Sequence, residues 1–345
     1  MQQTNLARIF DNFVQKNKLP KAMIRIQKRN DDNFIQLSTN DMTDHTPFVL
    51  ASVTKLWITT LILQLIDQKK LDYQGIVANF FPKEKLRGLH HYLGKDYTQS
   101  ITIEDLLFQR SGLPNIFYEE PVLLRNRIKH EDFAYDFSDL IDWVKQTESH
   151  FVPGSKSSYY ADINFALLGA IIEKITHQSL DDCVDKYIFR PLGLDYSFLP
   201  SSEFAAIPPL YTGEEYLDRP KVISCGQGAG GGISTTADLM VFIQAFLEGR
   251  LFEQHHWGKL ADYLPLQEDY APVEYGGGHM KISMGERLYF YGHSGLSGAF
   301  AFYCPQLEVY LTGTTDNVGQ PSLCFQLLYL ILIELEKLGN KLKNS

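Results

Sequence analysis

The sequence predicts an α/β protein of the α+β type: one antiparallel sheet flanked by helices, with an all-helical subdomain inserted between its strands. Three observations carry this reading. Strand-like alternation is confined to the two ends of the 345-residue chain, helical periodicity fills most of the stretch between them, and a long apolar helix signal starts at Ser52, near the first junction. The expected division is residues 1–72 and 205–345 for the sheet domain and 73–204 for the helical insert.

Taken in order, Leu6, Ile9, Phe10, Phe13 and Val14 have the spacing of an amphipathic helix. Residues 22–27 alternate around Ile24 and Ile26, Asn30-Asp31-Asp32-Asn33 supplies a turn, and 34–37 is apolar again, which is hairpin patterning. A short apolar strand then runs into one helix over 52–71. From 72 to about 199 the pattern is mostly helical, with connections marked by Pro and Gly. Strands return from Tyr275, at 279–283, 287–291, 298–304 and 308–312, punctuated by Gly285, Gly292 and Pro305. A closing helix over 321–338 is expected to stop at Gly339.

Composition narrows the function classes. With 44% hydrophobic and 21% charged residues the chain can bury a large core, and its net charge of −9 comes without a basic cluster. A nucleic-acid groove or an anionic-membrane surface is therefore not expected. Cys183, Cys225, Cys304 and Cys324 are widely separated and read as reduced thiols. The N-terminal segment lacks the unbroken apolar core of a secretory signal, so the expected location is the cytoplasm. The apolar run 327–333 is too short to span a bilayer and continues into Glu334, Glu336 and Lys337, as a buried helix face does; no membrane span is expected.

The chemistry centres on Ser52-Val53-Thr54-Lys55, the one S-x-x-K of the chain. At a helix start, unpaired backbone N–H groups can stabilise an alkoxide and help hold a carbonyl oxygen. Positions i and i+3 share a helix face, so the Lys55 amine can fold back on the Ser52 hydroxyl. Burial beside Leu56, Trp57, Ile58, Leu61 and Ile62 lowers a lysine pKa toward that of a base.

Further segments complete a pattern: IEDLLFQRSGLP at 103–114, Phe151-Val152-Pro153-Gly154 followed by Tyr159-Tyr160-Ala161-Asp162 and Leu167-Leu168-Gly169, the Gly230-Gly231-Gly232 run, and Tyr291-Gly292-His293-Ser294-Gly295. In this order, over nearly the whole chain, they resemble the serine hydrolases related to class C β-lactamases, D,D-peptidases (penicillin-binding proteins) and esterases. The resemblance implies a β-lactamase/transpeptidase-like fold. Counting back from Gly169 it puts the family tyrosine at Tyr160, with Tyr159 as the neighbouring alternative, and Asp162 in the slot of the family's Asn. A tyrosine phenol between cations ionises more readily than in water and could carry a proton to the leaving group. Asp162 either orients Tyr160 or Lys55, or caps the helix that follows.

The resemblance also places His293-Ser294-Gly295 where the family has K-T-G, and pairs the Leu296 N–H with the Ser52 N–H as an oxyanion hole. A mostly neutral histidine there replaces a permanent cation, which weakens carboxylate recognition and the case for penicillin turnover. Phe108-Gln109-Arg110, where a T-H-T-like triplet is usual, is another departure. Gly226-x-Gly228-x-x-Gly231 matches a dinucleotide fingerprint formally, but no strand–turn–helix context surrounds it, and the resemblance makes it a glycine-rich turn under the site floor. The pairs His90/His91 and His255/His256 lack a spaced third ligand, so neither a metal nor a cofactor is expected.

The expectation is a two-step acyl transfer on a small ester, an amide or a D-amino-acid peptide, with a β-lactam as a conceivable acylating ligand. The alternative is a penicillin-binding or acyl-sensor protein that acylates with little turnover.

Overall fold

The computed structural model describes residues 2–39, 42–200, 206–267 and 270–343. The expected boundary at 204/205 lies outside these residues.

Helix α1 (Gln2–Asn17) leads into strands β1 (Met23–Lys28) and β2 (Phe34–Ser38), which pair antiparallel. Strand β3 (Phe48–Val49) is too short to join the large sheet and pairs instead with β4 (Ile233–Ser234). The C-terminal strands are β5 (Leu264–Pro265), β6 (Val273–Tyr275), β7 (Met280–Met284), β8 (Leu288–Ser294), β9 (Ala299–Cys304) and β10 (Val309–Thr314). They form one eight-stranded antiparallel sheet in the order β2-β1-β10-β9-β8-β7-β6-β5, so both chain ends build it, as the sequence predicts. β5 and most of β6 were not signalled by alternation, because each is only two or three residues long.

Every residue of β9 and β10 is buried. Both faces of these central strands are covered, which is why they read as continuous apolar runs. The helix Thr236–Leu247 packs on β1, β9 and β10, with Thr312 Oγ1 donating to the Thr236 carbonyl. The closing helix, Leu323–Lys343, packs with α1 and sends Phe325 toward Phe302 of β9. It runs past Gly339, which is not among the glycines with a left-handed φ and so forms no C-terminal cap there.

The inserted subdomain is helical, as expected, and its main element is the helix Ile163–Thr176. Capping boxes at Thr102/Asp105 and Asp136/Asp139 start the helices Ile103–Leu107 and Phe137–Val144, satisfying N–H groups that would otherwise be orphaned.

One expectation needs correcting at the centre of the molecule. The single helix over 52–71 is a 3-10 turn, Ala51–Thr54, followed by an α-helix, Lys55–Asp67. Ala51, the first residue of that turn, has a φ of 45°, a left-handed conformation that L-residues adopt at a cost of about 1–3 kcal/mol. The α-helix itself is buried on nearly all sides, from Lys55 through Leu63, and forms the spine between sheet and insert. Among the described residues no helix is long and apolar enough to cross a membrane. All four cysteines are free.

Candidate active site

In a 3-10 turn residues three apart eclipse one another, so the Ser52 and Lys55 side chains are brought together more directly than on an α-helix. Lys55 Nζ lies 2.9 Å from Ser52 Oγ, 2.6 Å from Asp162 Oδ1 and 2.5 Å from the Ala229 carbonyl oxygen. The Lys55 side chain has no solvent exposure, and this burial lowers its pKa, while the Asp162 carboxylate raises it. These three partners define what the lysine can do. As an ammonium it fills all three with protons; as a neutral amine it keeps its two protons on Asp162 and Ala229, which can only accept. Its lone pair then faces Ser52, the one partner able to donate. The arrangement can deprotonate Ser52.

Asp162 immediately precedes the helix Ile163–Thr176, but its side chain makes no capping bond; the carboxylate is turned to Lys55. Ala229 comes from the segment 226–231. That segment is not a turn after a strand: it is the end of a helix, Pro220–Gly230, kinked at Gln227 (φ 38°, ψ −129°). No strand–turn–helix surrounds the glycines, and the kink instead delivers a carbonyl to the lysine.

Of the two neighbouring tyrosines, Tyr160 faces the site. Its ring centroid is 5.1 Å from Lys55 Nζ, whereas Tyr159 turns away, donating its hydroxyl to Glu119 Oε1 at 2.7 Å and stacking on His150. The Tyr160 hydroxyl is buried and has no hydrogen-bond partner among the described residues. Its ionisation departs from expectation. Burial, then the charge of Asp162, holds its pKa well above the ordinary value, and the nearby Ser52 hydroxyl only partly offsets them. Burial first, and the Asp162 charge after it, keep the phenol protonated at rest.

His293 is also placed differently from a substrate-facing donor. It is fully buried in β8, with Nδ1 donating to the Ser294 carbonyl at 2.7 Å, which leaves Nε2 to accept from the Tyr275 hydroxyl at 3.2 Å. Burial, with a contribution from Lys55, pushes its pKa down to about 3. It is a neutral support beneath the site. Ser294 and Leu296 are partly exposed. Gly295 is a requirement of packing: a Cβ there would meet the Leu50 carbonyl oxygen at 2.1 Å, so only glycine lets the end of β8 lie against the Ser52 turn. Among the described residues neither the Ser52 N–H nor the Leu296 N–H has a backbone acceptor, so both are available to an incoming oxygen.

Several supporting groups carry no local sequence signal. Gln109 Oε1 accepts from the Ala161 N–H (3.0 Å), Gln267 Oε1 from the Tyr160 N–H (2.9 Å), and Asn115 Nδ2 donates to the Tyr160 carbonyl (3.1 Å). Tyr270 stacks on Tyr160, and Tyr275 meets it edge-on. These residues are distant in sequence and converge only in the fold. The histidine pairs also need revision: Asp67 stands beside His255 and His256, the third ligand-type residue that sequence spacing does not reveal.

The fold that carries this site is shared with known proteins. The described fold superposes on a D-amino acid amidase from Ochrobactrum anthropi SV3 with a TM-score of 0.80, at 17% identity over 98% of this chain and 99% of that one. It is similar to a D-stereospecific amidohydrolase from Streptomyces sp., with a TM-score of 0.75, at 23% identity over 92% and 94% of the two chains. At these identities the likeness is one of fold alone. In sequence, 164 residues are 32% identical to a Salmonella paratyphi A protein provisionally named a D-alanyl-D-alanine carboxypeptidase; the match covers 47% of this chain and 35% of that protein. The chain thus spans about a third of the curated relatives it matches. The profile of the family described as Beta-lactamase covers residues 6–324, nearly the full length, and the chain belongs to that family.

Proposed function

We propose that the protein is a serine acyl-enzyme hydrolase acting on a small amide or ester, with an amino-acid amide as the best-supported class. The observation that carries this reading is the position of Lys55 Nζ, which meets Ser52 Oγ between two obligate acceptors. Ser52 gives its proton to Lys55 and its oxygen adds to the carbonyl carbon. The Ser52 and Leu296 N–H groups receive the oxyanion. Tyr160, protonated at rest, hands its proton to the leaving nitrogen and is reprotonated by the Lys55 ammonium. Water then adds to the acyl-enzyme and releases the acid.

The substrate class rests on what surrounds these groups. His293 is buried, neutral and engaged at both ring nitrogens, so it offers no charge to a substrate carboxylate. The wall built by Tyr160, Tyr270 and Tyr275 suits an apolar or aromatic side chain. The likeness in fold to a D-amino acid amidase and a D-stereospecific amidohydrolase supports the amide class, and the sequence match to a protein provisionally named a D-alanyl-D-alanine carboxypeptidase makes a D-alanyl peptide the second substrate to test.

The test is steady-state product release from D- and L-phenylalanine amide, p-nitrophenyl acetate, nitrocefin and a D-alanyl-D-alanine peptide, for wild type and Ser52→Ala. Ser52-dependent turnover of amide or ester, exceeding that of the two carboxylate-bearing substrates, is expected. A burst of one equivalent with no turnover on any substrate would favour the acyl-sensor instead.

A further inference from the structure

Asp67 is the last residue of the helix that begins with Lys55, and it lies on the far side of the spine from the chemistry: twelve helical steps separate them, about 18 Å. There it meets a segment of the chain nearly two hundred residues later. Asp67 Oδ1 is 2.7 Å from His256 Nε2, and Asp67 Oδ2 accepts the Glu253 N–H at 3.0 Å. Ligand atoms of Asp67, His255 and His256 all lie within 4.8 Å of one another, and among the described residues this is the one such group of three.

We propose that Asp67, His255 and His256 form a binding site for a divalent ion of the zinc type. Two imidazoles and one carboxylate are the donor set of a borderline cation and a poor one for calcium or magnesium, which take oxygen ligands. The groups behind the ligands fit. His256 Nδ1 is 2.8 Å from the Tyr73 hydroxyl and His255 Nδ1 is 3.1 Å from Glu253 Oε2, so each ring can rest a proton on an outer oxygen and turn Nε2 to the ion. His255 Nε2 has no protein partner among the described residues.

Seating an ion requires metal–ligand bonds of about 2.0–2.1 Å, hence ligand atoms roughly 3.3 Å apart. The close His256–Asp67 pair opens slightly and His255, whose side chain is 65% exposed, swings inward. His256 binds as the tautomer that carries its one proton on Nδ1, against the Tyr73 hydroxyl, so Nε2 has a free lone pair for the ion and water fills the remaining position. The ion would clamp the end of the Lys55 helix to the 253–257 segment without touching the reacting groups.

The full-length chain, treated with chelator and dialysed, is titrated with ZnCl2 by calorimetry, with melting temperature and the visible spectrum of the Co2+ form as second readouts. Wild type should take up about one Zn2+ per chain, melt at higher temperature with zinc but not with Mg2+, and give a Co2+ absorption band of a four-coordinate site. His255→Ala, a change at an exposed side chain that leaves the fold intact, should weaken uptake about 100-fold, and Asp67→Asn should do the same. Absence of stoichiometric uptake by wild type overturns the proposal. So does uptake that persists in His255→Ala, which would put the ion elsewhere, for instance at the partly buried Cys225.

Discussion

Lys55 Nζ and Asp162 Oδ1 are 2.6 Å apart although 107 residues separate them, and the pair joins the buried spine helix to the main helix of the insert. Burial lowers the Lys55 pKa and the carboxylate raises it, so the two effects oppose each other on the group proposed to act as base. Asp162→Asn removes only the raising effect. The acid limb of the kcat/KM profile, where Lys55 becomes protonated, should therefore move to lower pH. An unmoved limb in the variant would mean that Asp162 does not act through Lys55.

Tyr160→Phe should leave the protein as stable as wild type, because the hydroxyl it removes has no hydrogen-bond partner among the described residues. Amide hydrolysis should fall by about 10²–10⁴, the range of a lost general acid. A p-nitrophenyl ester, whose leaving group needs no proton, should suffer much less. Equal losses on both substrates would exclude Tyr160 as the proton donor.

Glu119 holds the loop beside the site. Its Oε1 accepts from the Asn115 N–H at 2.6 Å and the Tyr159 hydroxyl at 2.7 Å, and its Oε2 faces His150 Nε2 at 3.0 Å. Asn115 in turn holds the Tyr160 carbonyl. Glu119→Ala should destabilise by about 1–3 kcal/mol and lower kcat more than it raises KM. Glu119→Gln should recover much of both, since the amide oxygen still accepts; urea titration and steady-state kinetics of the two variants decide it.

Stability should depend on pH through His279, buried with Nδ1 on the Gly277 carbonyl and Nε2 on the Tyr263 hydroxyl. Burial pushes its pKa down to about 4, below the unfolded value near 6.5, so the unfolded chain takes up the proton first. The stabilisation is present above the unfolded pKa and is lost as pH falls toward the folded one. Between pH 7 and 5 this residue should cost about 2 kcal/mol. His279→Gln should flatten the urea-derived stability profile over that interval by a similar amount. An unchanged slope would show that His279 does not titrate on unfolding.

The sequence made the large elements legible because their residues repeat at the helix or strand period over many positions. This holds for the four long C-terminal strands, the β1–β2 hairpin and the helix Lys55–Asp67. Ser52 and Lys55 were legible because they are neighbours in sequence, and the order of motifs then singled out Tyr160, Asp162 and His293. The 3-10 turn was hidden, since it differs from an α-helix only in backbone angles, including the left-handed φ of Ala51, that no residue type announces. The true surroundings of Tyr160 and His293 were hidden too: burial by Tyr270 and Tyr275, and neutralisation of Lys55 by Asp162, arise only when distant segments meet. Gln109, Gln267 and the Ala229 carbonyl act through backbone contacts that leave no trace in composition.

The central claim is that Lys55 activates Ser52. The most direct measurement is the intact mass of wild type, Ser52→Ala and Lys55→Ala after timed exposure to a small fluorophosphonate. Wild type should gain one adduct on the peptide bearing Ser52, Ser52→Ala none, and Lys55→Ala the same adduct at a rate lower by about 10²-fold or more. Labelling of Ser52→Ala to one equivalent, or labelling of Lys55→Ala at the wild-type rate, would contradict it.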